Sequence, residues 1–209
     1  MTGLTALKFA PPLLLVLAVL FHQPLLTGLG DWLAPSGDRE GEAVVVEGTQ
    51  VALAGGVQPA LGLLKEGKAK RLYLVLHLFS GDQSLFAIQE DYAGALGREL
   101  ERLGLTKNQY RVLPVPMKGH PITLTEARHI VPVLGKEGIR KAVLLTEGFH
   151  ARRSLRVYQK LGGTQGIKFT PFPYFPAYPK EQWWKHPEGV KDLTAESAKL
   201  VYYLLKGYL

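Results

Sequence analysis

The stretch Ala142–Gly163, AVLLTEGFHARRSLRVYQKLGG, decides the fold. Ala142–Leu145 is a continuous apolar run and reads as a buried strand. Thr146-Glu147-Gly148 reads as a tight turn, and the amphipathic segment after it as a helix that stops at the pair Gly162-Gly163. Strand, turn and helix N-terminus in that order form the usual ligand corner of an α/β sheet. With successive residues about 100° apart, Ala151, Leu155, Tyr158 and Leu161 share one face, and Arg152, Arg156 and Lys160 lie on the opposite, solvated one. Arg153 is i+3 from His150, so these two can meet beside the helix N-terminus.

Outward from this corner, strands alternate with helices. Strands are expected at Ala43–Glu47, Arg71–Leu78, Tyr110–Val115, Lys141–Thr146 and Ile167–Phe172. Helices are expected at Pro59–Glu66, Phe86–Leu103, Leu124–Leu134, Phe149–Leu161 and Asp192–Lys206. This alternation implies a Rossmann-like three-layer α/β domain with a mostly parallel five-stranded sheet. Its ligands should lie outside the C-terminal strand ends, here Glu47–Gln50, Leu78–Gln83, Pro116–Thr123 and Thr146–His150.

Before the domain, Phe9–Leu29 is almost wholly apolar, with Leu13–Phe21 unbroken, which suits one N-terminal transmembrane helix. Lys8 precedes this run, and Asp31, Asp38, Glu40 and Glu42 follow it against Arg39 alone. The charge balance places the N-terminus in the cytoplasm and the domain outside. A cleaved signal peptide is the rival reading. The chain thus divides into residues 1–32 (anchor or signal peptide), 33–42 (linker) and 43–209 (α/β domain). The aromatic, proline-rich segment Phe172–His186 reads as a loop packed over the sheet edge, or as an aromatic surface at the bilayer interface.

Composition narrows the chemistry. The chain has no cysteine, so disulfides, thiolate metal sites and a cysteine nucleophile are excluded. A net charge of +7 favours anionic partners, but no nucleic-acid module is visible. Gly-x-Gly-x-x-Gly, P-loop and Gly-x-Ser-x-Gly motifs are missing, and the residues suggest no particular cofactor. His120 and His150 form no ligand-spaced triad, so no metal site is expected.

The candidate site residues gather at the strand ends. A phosphate or carboxylate would be held by the amides near Gly148–His150, with Arg153 as a fork and Thr146 beside it, while His150 donates a proton or orients the ligand. The bland alternative has His150 cap or pack. Thr123 and Glu126 form a capping box, or else face the same cleft, where Glu126 would share the acid–base work. Ser80-Gly81-Asp82 lines the cleft or makes a plain turn, and Gly48 lies in the turn after the first strand.

LLTEGFHARRSLRVYQKLG resembles the Val-Thr-Ser-x-Tyr-His-x-x-Arg-Ala signature of the ElyC/SanA/YdcF family of bacterial envelope proteins. Thr146, His150 and Arg153 match residue by residue, while Glu147 and Ser154 replace the serine and the alanine. TLTEA (Thr123–Ala127) resembles the family's Thr-Tyr-Glu-Asn/Glu-Ala turn, and LTAESAKLVYYLLKGYL its closing helix, with Glu196 at the family's glutamate. Where the family has Gly-Gly-Gly after the first strand, this chain has Glu47-Gly48-Thr49. The resemblance implies a Rossmann-like domain behind a membrane anchor and a role in peptidoglycan and envelope integrity. One branch of the family is reported to bind S-adenosylmethionine. The expected function is an inner-membrane, periplasm-facing protein of envelope biogenesis that binds an anionic small molecule or a lipid-linked precursor. The alternatives are a non-catalytic scaffolding module and an S-adenosylmethionine- or nucleotide-binding enzyme. If His150 and Arg153 serve only a ligand, replacing either with alanine should leave the melting temperature nearly unchanged.

Overall fold

The computed structural model describes residues 22–48, 55–79, 83–117 and 121–209. Within them lie five strands, β1 (Ala43–Val46), β2 (Arg71–Phe79), β3 (Tyr110–Met117), β4 (Lys141–Glu147) and β5 (Lys168–Tyr174). Residues 22–33 form helix α1. It is followed by α2 (Val57–Lys65), α3 (Gln83–Arg102), α4 (Ile122–Lys136), α5 (Ala151–Gly163) and α6 (Pro187–Leu205). Every strand pairing is parallel, in the order β3-β2-β1-β4-β5, so the sheet is parallel throughout.

The strand order follows from residue chemistry. β1 and β4 carry continuous apolar runs, Ala43–Val46 and Ala142–Leu145, and they pair inside the sheet with every residue of both runs buried. Proline cannot donate to a ladder, and the strands that contain it are the two edges: Pro114 and Pro116 in β3, Pro171 and Pro173 in β5. Because an edge tolerates proline, β5 runs on to Tyr174, past the Phe172 expected from sequence. Alternate residues divide the core into two layers. Val44, Val46, Leu72, Leu74, Val143 and Leu145 pack under α2 and α3. Ala43, Val45, Tyr73, Val75, Ala142 and Leu144 pack under α4 and α5. The sheet with a helical layer on each face is the expected Rossmann-like arrangement.

A third cluster lies outside these layers. Leu33 and Ala34 meet Phe149, Ala151, Tyr178, Trp183 and Leu193, all buried. The Trp183 indole N–H donates to the Leu26 carbonyl at 2.9 Å, and the Phe149 ring stands edge-on to Trp183 at 5.9 Å between centroids. The segment Phe172–His186 therefore packs inward, against α1 and the first turn of α5. Residues 1–21, with most of the expected membrane span, lie outside the described residues. No helix among those described is long and apolar enough to cross a membrane.

Trp183→Ala removes the indole that joins α1 to the domain. We expect it to cost about 3–5 kcal/mol in denaturant unfolding and to open residues 22–33 to protease in the native protein. Trp183→Phe, which loses the hydrogen bond to Leu26 and part of the indole's packing, should cost less, on the order of 1–3 kcal/mol.

Candidate functional site

The alternation that builds the core also builds the site. On the face covered by α4 and α5, the apolar rows Ala43-Val45, Tyr73-Val75 and Ala142-Leu144 each continue, one step later, into a polar residue. These are Glu47, His77 and Thr146, all at the C-terminal ends of their strands. β1 and β4 are neighbours although β2 and β3 intervene in sequence, so the chain changes direction across the sheet between them. Such a switch point opens a crevice above the strand ends. The crevice is a cleft of about 670 Å³, lined by Gly48 and His77 from the sheet, Thr123 and Glu126 from α4, His150 and Arg153 from α5, and Glu196, Lys199 and Tyr203 from α6. This size suits a small organic ligand.

Arg153 holds the centre. Its Nε and Nη2 lie 2.9 and 2.8 Å from Oε2 of Glu196, its Nη1 donates to Thr123 Oγ1 at 2.7 Å, and its Nη2 is 2.7 Å from His150 Nδ1. The guanidinium also stacks 4.7 Å above the Tyr203 ring. A guanidinium has five N–H donors, so these contacts leave one hydrogen, on Nη1, uncommitted. The fork expected to hold an external anion is thus occupied by Glu196. Burial works against a charged Glu196, but His150, Arg153 and Lys199 together hold its carboxyl well below the usual range.

Thr123 and Glu126 do not make a capping box. α4 begins one residue before Thr123, with Pro121 at its N-cap and no side-chain cap, so Thr123 lies inside the helix and turns to Arg153. Glu126 is buried and reaches across to the sheet. Its Oε1 accepts from the Tyr158 hydroxyl at 2.7 Å; its Oε2 is 2.5 Å from His77 Nε2 and accepts the Gly48 N–H at 3.3 Å. Burial, with the charge of Glu47 adding to it, pushes the Glu126 carboxyl up, while His77 and Tyr158 pull the other way. Burial and the two carboxylates push the Tyr158 phenol well above its usual value, so it remains a donor. Gly48 is required by space, because a Cβ there would sit 2.4 Å from the His77 ring.

His150 lies between two carboxylates. Its Nε2 is 3.6 Å from Glu47 Oε1 and its Nδ1 3.4 Å from Glu196 Oε2, with the side chain 26% exposed at the cleft. Burial opposes a charged imidazole here, but Glu47, helped by Glu196, outweighs burial and Arg153 together and raises the pKa to about 9. Arg153 is always a donor, so its 2.7 Å contact needs a lone pair on Nδ1 and belongs to the neutral ring. Charging the ring exchanges that contact for Glu196. Glu47, on the inner side, also accepts the hydroxyl of Ser154 through Oε1, while its Oε2 is buried without a partner.

The other expected residues divide. Gly148 begins the 3-10 turn Gly148–His150 with φ of +58°, a conformation that suits glycine, but it does not line the cleft. Thr146 is buried with its hydroxyl unpartnered. Asp82 and His120 lie outside the described residues. Of the cations opposite the core face of α5, Arg156 is exposed, as expected. Lys160 is exposed too and donates to the carbonyls of Gly207 and Leu209, whereas Arg152 is half-buried and stacks on Trp32, 4.5 Å from the ring. Sequence reading passed over Glu47 and His77 as site groups and took Tyr158 for a packing residue. The available signal was the period-2 apolar row ending on a titratable residue at a strand's C-terminal end. Among the described residues, no group of three or more acidic or histidine side chains could hold a metal ion.

Compared with known proteins, the chain matches no family model, no curated protein and no solved structure.

The burial of these groups corrects the expectation that alanine at His150 or Arg153 spares the melting temperature. Arg153→Ala takes from Glu196 its buried guanidinium partner, leaving His150 and Lys199, and should cost about 3 kcal/mol. The double variant Arg153→Met/Glu196→Leu should regain most of it in chemical denaturation. For His150 the folded pKa of about 9 lies above the unfolded value of about 6.5. Its contribution is therefore complete below roughly pH 6.5 and is lost as pH rises through the folded value. Wild type should lose on the order of 3 kcal/mol relative to His150→Gln across that window, as read from denaturant midpoints.

Proposed function

We propose that the cleft is a small-molecule site in which His150 exchanges a proton with a bound ligand, and that the protein is a divergent, membrane-anchored member of the ElyC/SanA/YdcF-like envelope family with its domain outside the cytoplasm. The observation that carries the site reading is the density of buried ionisable groups at the β1/β4 switch point. Glu47, Glu126, Glu196, Arg153, His77 and His150 lie together where a Rossmann-like sheet holds ligands. Desolvating so many charges costs stability, and protein cores do without them unless the groups have work to do.

The ligand class proposed is an anionic small molecule or the head of a lipid-linked envelope precursor. Lys199 at the cleft mouth, the remaining Nη1 hydrogen of Arg153 and the N-terminal end of α5 are the positive features that support it. Tyr202 and Tyr203 supply an aromatic wall for a less polar portion. The acidic segment that follows the apolar leader supports the orientation. The half of the cleft next to β1 departs from the family pattern at Glu47, so the ligand need not be one that relatives bind. The non-catalytic reading keeps the same cleft and removes the proton exchange.

Thermal shift of the full-length protein against nucleotides, S-adenosylmethionine and short prenyl phosphates tests this. A ligand at about a hundred times its Kd should raise the melting temperature by about 5 °C or more. Lys199→Ala should reduce that shift and leave the ligand-free melting temperature within about 1 °C. If no member of the panel moves the wild-type protein, the anionic-ligand reading is wrong. A shift unchanged in His150→Gln favours the non-catalytic module.

A further inference from the structure

Glu47 belongs to the buried ionisable cluster at the switch point but has no role of its own in the ligand reading above, and its position is unusual. It is the last residue of the β1 apolar alternation, buried at the switch point, and it does not line the cleft. One oxygen faces His150 Nε2 at 3.6 Å and accepts the Ser154 hydroxyl. The other has no partner. A buried carboxylate oxygen without a donor costs about 1–3 kcal/mol or more. Packing alone is not a reason to keep one.

The two edges of the His150 ring look in different directions. Nε2 faces inward, toward Glu47. Nδ1 faces Arg153 and Glu196, both of which line the cleft. The backbone of His150 ends the 3-10 turn and leads into α5, which places its side chain between the ends of β1 and α6.

We propose that Glu47 is the positioning residue for His150: it pins Nε2 from behind and leaves Nδ1 as the nitrogen that exchanges a proton with the ligand. The step balances on the ring. In the charged form both nitrogens carry hydrogen, Nε2–H toward Glu47 and Nδ1–H toward Glu196 and the cleft. When Nδ1 gives its proton to a basic atom of the ligand, the ring becomes neutral with its remaining proton on Nε2. The freed Nδ1 lone pair then accepts from Arg153 Nη2, at the 2.7 Å separation present in the structure. Arg153 thus receives the ring after proton release, and Glu47 favours the neutral tautomer that keeps its proton on Nε2.

The charged groups that bear on this ring come from every element around it. Glu47 comes from the end of β1, Arg153 from α5, and Glu196 from α6, with Lys199 paired to Glu196 and His77 paired to Glu126 across the cleft. Among them Glu47 alone faces Nε2. This inference deepens the proposed acid–base role of His150 and depends on it for its catalytic meaning, but its geometry can be tested without a ligand.

The experiment is a pH titration of the imidazole nitrogens in full-length protein labelled with nitrogen-15. In wild type the neutral His150 should carry its proton on Nε2, and the ring should titrate above free histidine. In Glu47→Gln the midpoint should fall by at least about one unit, a tenfold change in proton affinity. Glu47→Asp, which keeps the charge one methylene farther away, should fall between the two and serves if the glutamine variant does not fold. A neutral ring protonated on Nδ1, or a midpoint unmoved in both variants, overturns the proposal. A midpoint that falls as expected while no ligand shifts the melting temperature would uphold Glu47 and count against the ligand reading alone.

Discussion

The buried pair of Arg153 and Glu196 is the constraint on which the rest of the site depends. A guanidinium in this interior needs a carboxylate, and the carboxylate comes from α6, more than forty residues further along the chain. The pair therefore fixes the closing helix against α5. It sets the aromatic wall, because Tyr203 lies under the same guanidinium. It also limits ligand chemistry, since an arginine whose donors are nearly all engaged contributes less as an anion fork than as a rigid partner for His150 and Thr123.

Around this pair the polar groups divide into two histidine–carboxylate sets. His77 and Glu126, with Tyr158, join the sheet to α4 and α5. His150 lies between Glu47 and Glu196 and is the more exposed of the two histidines. Both sets border the cleft, but the first is held by short hydrogen bonds and the second leaves its histidine the more exposed. Environments that separate otherwise similar groups in this way are what acid–base chemistry requires, because a proton must reside on one group and be available from another.

The aromatic segment and α1 tie the leader to the site. Phe149, next to His150, is held by Phe175 and Trp183, and Trp183 in turn holds α1 through Leu26. The ring that places the backbone of His150 is thus packed on the same cluster that docks the start of the described chain.

Much of the fold was legible in the chain itself. Apolar runs of strand length alternating with amphipathic segments are a local property, and they determined the α/β class, the parallel sheet and the position of the strand–turn–helix corner at β4 and α5. The pairing of His150 with Arg153 was legible too, because helical geometry alone brings i and i+3 together. Other features depended on contacts between distant residues. Thr123 and Glu126 have the spacing of a capping box, and only the approach of α5 and the sheet turned them to Arg153, His77 and Tyr158. Glu47 and His77 are single polar residues at the ends of apolar strands, indistinguishable in sequence from ordinary strand termini. Parallel pairing put them on the same face of neighbouring strands, and burial then made each need a partner that only the tertiary structure could supply.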